Sequence, residues 1–313
     1  AALLGTANGW ITARCQIPGR RWLRMAQLLP LATPSYLLAA TLIDLGSRVS
    51  LRIHGFTPTV LVLVLSTYSY VFLLSTESFS VSGRRQLEAC RSLGVGPWGS
   101  FRRVALPMAM PAIGAGIALG GMEVVNELGA VELLGVPTLS SGILQRWQQE
   151  ADPQGSVALA LLALVIVGLL VAAERNLRHR SRCWNLGNDG DADQRWPLQG
   201  PRRWLSQALC LLPPLISLGL PLLWAALSWD QLQGDSSLEL ALLSLRSFAL
   251  ALLAAAFTVA AGLLLAIAKR WIPNALLRRL TFLAGLGYAI PGTVLALALM
   301  LVALLPVWGV TRL

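Results

Sequence analysis

The chain has 313 residues, of which 55% are hydrophobic and only 13% are charged, and its mean hydropathy is +0.64. Because soluble domains carry about 25% charged residues, this composition excludes an ordinary soluble domain. The net charge of +10 would suit a nucleic-acid partner, but the positions of the basic residues give it another meaning.

Uncharged runs of helical length recur along the chain, and each can cross about 30 Å of hydrocarbon. They lie at residues 25–43, 57–74, 104–122, 155–173, 204–229, 247–268 and 280–311. A spanning β-barrel would show short alternating segments instead. The chain is therefore predicted to be an all-α polytopic membrane protein. Pro30, Pro34 and Pro291 interrupt two of these runs, so helix kinks are expected there.

Basic residues concentrate in every second loop between these runs. These loops are residues 14–24, 84–103, 174–203 and 269–279. The pattern follows the positive-inside rule and predicts that these loops are cytoplasmic. The positive charge thus indicates topology and contact with membrane lipid, and no nucleic-acid partner is expected. The four cysteines show no CxxC spacing, and no metal site is assigned.

A short basic segment at residues 84–107 lies between two apolar runs. Good helix formers at residues 86–93 end at Gly94, which takes the left-handed conformation cheaply. Pro97 suits the first turn of a second helix, on which Trp98 and Phe101 lie three residues apart. The segment is predicted to be a helix-turn-helix that contacts something in the cytosol.

An internal repeat is visible at an offset of 257 residues. It places Gly5 on Gly262, Arg21 on Arg278, Pro34 on Pro291 and Ala39 on Ala296. Residues 1–173 are interpreted as a first repeat lacking its first span, 174–203 as a cytoplasmic linker and 204–313 as the start of a second repeat. On this interpretation the chain is truncated at both ends, and a second copy of the segment at 84–107 is expected near 345–364.

The segment at 84–107 resembles the cytoplasmic signature of ABC importer permeases. That signature is Glu-Ala-Ala, three residues, Gly, nine residues and then Ile-x-Leu-Pro. This chain has Glu-Ala-Cys at 88–90, Gly94 and Val-Ala-Leu-Pro at 104–107. Residues 18–21, 29–36, 122–132 and 287–296 resemble the fused two-repeat permeases of iron(III) importers. Thiamine and polyamine permeases share parts of this pattern, so those cargoes remain alternatives.

The resemblance implies a type I transmembrane domain with two tandem repeats in a bacterial inner membrane. The chain would be a transport subunit and not an enzyme. It would bind no cofactor itself, since ATP and Mg²⁺ would be used by partner ABC ATPase subunits. A periplasmic substrate-binding protein would deliver the cargo. Consistent with a separate ATPase, the chain has no Gly-x4-Gly-Lys-Ser/Thr motif, and Lys269 is its only lysine.

In the family, this signature supplies a coupling helix that docks in a groove of the ATPase subunit. The residues expected to carry that role here are Glu88, Ala89, Cys90, Leu93, Gly94, Trp98, Phe101, Leu106 and Pro107. The alternative is a basic loop that only folds against the spans and the lipid headgroups. Substituting Gly94 by Glu is expected to uncouple ATP hydrolysis from transport.

A cluster of acidic and amide side chains follows the run at 104–122, at Glu123, Asn126, Glu127 and Glu132. Acidic groups at membrane depth are costly and usually face a cavity, so these residues are candidates for lining the translocation pathway. Oxygen ligands suit a hard cation such as iron(III). The alternative is a hydrated helix end at the external surface. An ion-coupled secondary transporter is a rival function, but it leaves the spacing within residues 84–107 unexplained. A membrane scaffold is a further rival, which the proline-interrupted spans and the buried acids disfavour.

Overall fold

The computed structural model describes residues 1–81, 90, 92–183, 196–228, 237–271, 274–287 and 290–304. These residues form two units, one of Ala1–Leu222 with Pro291–Leu313 and one of Leu223–Ile290. The helices are α1 Ala2–Arg14, α2 Arg20–Ala26, α3 Ser35–Arg48, α4 Phe56–Val81, α5 Pro97–Ser100, α6 Leu106–Asn126, α7 Gly129–Leu133, α8 Leu139–Gln148, α9 Pro153–Cys183, α10 Pro201–Pro214, α11 Leu220–Leu227, α12 Ser237–Trp271, α13 Ala275–Leu286 and α14 Gly292–Leu304. Two-residue strands, β1 Cys15–Gln16 and β2 Trp196–Pro197, pair in parallel.

Helices long and apolar enough to cross a membrane account for most of the described chain. They are Phe56–Ser80, Trp98–Asn126, Pro153–His179, Pro201–Leu227 and Glu239–Trp271. The prediction of an all-α polytopic membrane protein is therefore confirmed. Helix α9 continues to Cys183, so residues 174–183 of the predicted cytoplasmic linker are helical and continuous with the preceding span.

The run at residues 25–43, predicted to be one kinked helix, is broken into two helices. The structure has two helical pieces, Arg20–Ala32 and Ser35–Arg48, that meet at an angle of 88°. Thr33 between them is extended, with φ −95° and ψ 115°, because a residue that precedes a proline is disfavoured in the helical region. Pro34 then caps α3 without an N–H to satisfy. Pro34 lies at the break between the two pieces, whereas Pro30 lies within the first piece.

The predicted span at residues 280–311 is also interrupted. Helix α13 ends at Leu286, and α14 begins at Gly292, directly after Pro291. This boundary repeats the one between Pro34 and α3 at the offset of 257 residues. This shared boundary is what the internal repeat predicts.

Helices α1, α4 and α6 pack closely because glycines lie at their contacts. A Cβ atom on Gly5 of α1 would lie 2.7 Å from the main-chain oxygen of Tyr68 on α4. A Cβ atom on Gly116 of α6 would lie 2.7 Å from the Cα of Val71. Small residues at such positions let helix backbones approach, which is a main source of packing energy between spans.

A buried polar network holds α10 against this core. The side-chain amide of Asn8 donates to Oε1 of Gln27 at 3.0 Å, and both residues are fully buried. Gln27 in turn donates from Nε2 to the main-chain oxygen of Cys210. Ser69 of α4 donates to the main-chain oxygen of Gln27 at 2.7 Å. Four segments of the chain are thereby joined through one amide pair.

Candidate functional site

The turn at Gly94 ends a helical stretch as the sequence predicts. Gly94 has φ +73°, and the N–H of Val95 donates to the carbonyl of Cys90 at 2.9 Å. This six-residue closure is the Schellman arrangement, which satisfies a free carbonyl at a helix end. Glu88 and Ala89 of the predicted coupling segment lie outside the described residues.

The second helix of the segment runs without a break into the next span. The N–H of Ser100 donates to the carbonyl of Gly96 at 3.0 Å, which starts α5 with Pro97 in its first turn. A π-helical turn at Phe101–Ala105 then joins α5 to α6. This wider turn directly precedes Pro107, whose ring would clash with the carbonyl four residues earlier in a regular helix. Helices α5 and α6 are thus continuous through this turn.

The predicted apolar anchors of the segment have different environments. Leu93 and Trp98 are 81% and 70% exposed. Phe101 is half-buried, with its ring centroid 4.9 Å from Trp10 of α1 and 6.1 Å from Phe79 of α4. Trp98 stacks on Phe101 at 5.5 Å. Leu93 and Trp98 are thus available to a partner, whereas Phe101 fixes the segment to α1 and α4.

A cavity of about 260 Å³ lies where the broken helix faces α4 and α6. Its walls are Pro30, Leu31, Thr33, Pro34, Ser35, Tyr36, Ser66, Tyr70, Glu123 and Glu127. Among the described residues that line it, none is basic. Two carboxylates and several hydroxyl groups therefore set its electrostatic character.

The two carboxylates of this cavity are held differently. Glu123, in the last turn of α6, accepts a hydrogen bond from the hydroxyl of Tyr70 at 3.3 Å. Glu127 follows the end of α6 and accepts from the hydroxyl of Ser35 and from the N–H of Ala130, the latter at 2.9 Å. Glu127 therefore ties the start of α3 to the start of α7, while Glu123 belongs to the cavity wall.

The other two residues of the predicted pathway cluster lie elsewhere. Glu132 lines a second cavity of about 260 Å³, beside Gln145, Gln148 and Gln149. Oδ1 of Asn126 is buried, and it has no hydrogen-bond partner within the described part of the chain. The structure thus brings together only Glu123 and Glu127 of the four.

Comparison with known proteins identifies the family. Residues 5–180 match the binding-protein-dependent transport system inner membrane component family. The chain belongs to this family. It is an ABC importer permease by descent, as the spacing within residues 84–107 predicts.

Individual relatives differ in cargo. The chain is 26% identical over 187 residues to the Fe(3+)-transport system permease protein FbpB 2 of Haemophilus influenzae, covering 60% of this chain and 36% of that protein. It is 32% identical over 197 residues to a probable sulfate transport system permease protein of Nephroselmis olivacea, covering 55% and 68%. It is 26% identical over 191 residues to the molybdenum transport system permease protein ModB of Escherichia coli, covering 54% and 82%. The chain thus spans just over a third of the iron permease.

Sequence reasoning missed the part of the permease cavity that comes from the broken helix. Ser35 and Tyr36 reach the cavity because the chain turns by 88° at Pro34. Tyr70 and Ser66 come from the polar inner half of α4. The useful signal was the pair of prolines beside a polar helix, since irregular backbone at membrane depth is tolerated only where it is buried or lines a cavity.

Proposed function

We propose that this permease is the membrane-spanning subunit of an ATP-driven importer of iron(III), which an external binding protein delivers. The observation that carries the choice of cargo is the cavity lined by Glu123 and Glu127, with no basic side chain among its described walls. Carboxylate and hydroxyl oxygens are the ligands that hard cations prefer.

The charge of the cavity argues against an oxyanion cargo. Sulfate and molybdate are dianions, and two carboxylates in a partly dehydrated cavity would repel them strongly.

Within the described ranges, no group of three or more His, Cys, Asp or Glu side chains could hold a metal ion. Two carboxylates coordinate a cation less tightly than a complete ligand set, which suits a cargo that has to leave again.

The coupling segment is proposed to dock on a separate ATPase through Leu93 and Trp98. Both are exposed apolar side chains beside a rigid turn, and exposed aromatic anchors commonly dominate protein contacts. Phe101 would pass the displacement to Trp10 and Phe79. Helices α4 and α6, which contact or continue this segment, carry Tyr70 and Glu123 at the cavity.

The position of the cavity suits alternating access. It is formed by a broken helix, and discontinuous helices at membrane depth commonly mark transport sites. Glu127, in the wall of this cavity, joins α3 to α7 through its hydrogen bonds with Ser35 and Ala130. ATP hydrolysis in the partner would move α6 relative to α3 and change access to Glu123. The basic loops, on the same proposal, face the cytoplasm.

The test is transport by the permease reconstituted with its ATPase and binding protein in vesicles. Uptake of labelled iron(III), sulfate, molybdate, thiamine and a polyamine is measured with and without ATP. ATP-dependent accumulation of iron(III) alone is expected. Accumulation of sulfate or molybdate would overturn the cargo, and uptake driven by an ion gradient without ATP would overturn the coupling to an ATPase.

A further inference from the structure

An apolar groove of about 570 Å³ lies between α1 and α6, and unlike the cavity beside Glu123 it has almost no polar lining. Its walls include Leu3, Ala7 and Ile11 of α1 and Leu106, Met110 and Ile113 of α6. The spacing of these residues makes the groove about 12 Å long along each helix. This length and this composition suit a hydrocarbon chain that runs parallel to the spans.

One end of the groove is marked by aromatic and basic side chains. Trp10, Trp98 and Phe101 line that end, and Trp98 stacks on Phe101. Tryptophan is enriched where spans meet the membrane surface. Arg102 and Arg103 are exposed and lie on the π-helical turn between Phe101 and Leu106, both of which line the groove. A positive charge therefore lies at the end where the hydrocarbon boundary is expected.

No acidic residue offsets this charge on the segments that form the groove. Helix α1 contains none, and residues 97–122 contain none. A molecule that fits both features has an apolar chain and an anionic head. Anionic phospholipids have this chemistry, and basic pockets between spans bind their headgroups.

We infer that the groove holds an acyl chain of an anionic phospholipid whose phosphate pairs with Arg102 and Arg103. The buried methylene groups supply most of the affinity, since each one removed from water stabilises the bound state. The arginines supply the preference for an anionic headgroup. This inference stands on the membrane-spanning fold alone and does not depend on the cargo or on an ATPase.

The bound lipid would also support the coupling segment. Trp98 and Phe101 contribute both to that segment and to the wall of the groove. An occupied groove limits the movement of these rings relative to α1. The lipid is thus placed to stiffen the connection between the segment and α1.

The test is native mass spectrometry of the full chain after removal of lipid, titrated with phosphatidylglycerol or phosphatidylcholine. One phosphatidylglycerol is expected to bind with a preference over phosphatidylcholine on the order of tenfold, from two nearby arginines. The double variant R102Q/R103Q should lose that preference and keep the weaker binding of phosphatidylcholine. The matched control R52Q, an exposed arginine in the loop before α4, should keep it.

A second variant tests the hydrocarbon site itself. Ala7→Trp fills the groove and should lower the binding of both lipids, while Leu161→Trp on an exposed face of α9 should not. Equal binding of the two lipids by the wild type would overturn the inference. So would a preference that survives in R102Q/R103Q, or binding that is unchanged in Ala7→Trp, which would mean that the lipid binds outside the groove.

Discussion

The hydroxyl of Ser35 donates a hydrogen bond to the carboxylate of Glu127 and so joins the start of α3 to the turn after α6. The second carboxylate oxygen accepts from the N–H of Ala130. Both donors lie in the first turns of helices, where the helix dipoles also favour a negative charge. Glu127 thus joins two helix starts as well as lining the cavity, whereas Glu123 accepts a hydrogen bond from the hydroxyl of Tyr70 on α4 at 3.3 Å.

Substitutions at the two carboxylates are therefore expected to have different effects. Glu127→Gln weakens two charge-assisted hydrogen bonds and should lower the free energy of unfolding by about 1–3 kcal/mol, together with uptake. Glu123→Gln should reduce uptake and leave thermal stability close to that of the wild type. Unfolding monitored by tryptophan fluorescence in detergent, alongside iron(III) uptake in vesicles, separates them.

Ser35→Ala is the matched test of the same contact. It removes one donor and keeps the charge of Glu127, so it should destabilise the protein less than Glu127→Gln does. If both glutamate variants unfold at the same temperature, the structural role assigned to Glu127 is wrong.

The turn at Gly94 should tolerate no side chain. Its φ of +73° costs an L-residue roughly 1–2 kcal/mol, although there is open space around the position. Gly94→Ala should therefore distort the segment and reduce transport-coupled ATP hydrolysis, and Gly94→Glu should reduce it further. Basal hydrolysis by the partner ATPase should persist, and the ratio of ATP hydrolysed to cargo moved measures the loss.

Gly96 provides the control for this position. It also has open space around it, but its φ is not in the left-handed region. Gly96→Ala should keep normal coupling. Equal loss of coupling in Gly94→Ala and Gly96→Ala would show that backbone conformation at Gly94 is not the cause.

The Gly94 turn could be predicted from the sequence, whereas the cavity beside Glu123 could not. The Gly94 turn is a local property, because the left-handed conformation selects glycine and the proline at 97 selects a helix start. The cavity is not local. Apolar residues continue through 25–43, so hydrophobicity alone indicates one span. Only the packing of the polar face of α4 against the broken backbone reveals the 88° turn.

The acidic cluster shows the same limit. Glu123 and Glu127 are four residues apart, a spacing that places both on one face of a continuous helix. Helix α6 ends at Asn126 and a separate helix, α7, begins at Gly129, and Glu132 on α7 lines another cavity. Which acids meet depends on where the helix ends, and no strong stop signal marks that position in the sequence.

Close packing of α4 and α6 predicts a steric effect at Gly116. A Cβ atom there would lie 2.7 Å from the Cα of Val71 and 3.1 Å from the main-chain oxygen of Tyr70, neither of which can move independently. Gly116→Ala should lower thermal stability by about 1–3 kcal/mol, as overpacking commonly does. Thermal unfolding in detergent measures the change.

Gly168 on α9 is the matched control for Gly116. Nothing lies within 4 Å of a Cβ atom built on it. Gly168→Ala should be neutral or slightly stabilising, because alanine is the better helix former. A loss of stability as large as that of Gly116→Ala would contradict the packing explanation.

Asp152 gives the structure a pH-dependent contact outside the spans. Its carboxylate accepts the N–H of Gly155 at 2.9 Å, and this bond, together with Arg146 at 3.0 Å, lowers the pKa of Asp152 below its ordinary value. A carboxyl group with a lowered folded-state pKa stabilises the fold above its unfolded pKa of about 3.9, and this contribution is lost as the pH falls through the folded-state pKa. The melting temperature of the wild type should therefore fall on acidification below about pH 4.

Asp152→Asn keeps an acceptor for Gly155 and loses the charge, so it should begin with a lower melting temperature at neutral pH and show a shallower acid dependence. Parallel melting curves from neutral to acid pH for the two proteins decide the matter, and identical slopes would show that Asp152 does not contribute to the acid response.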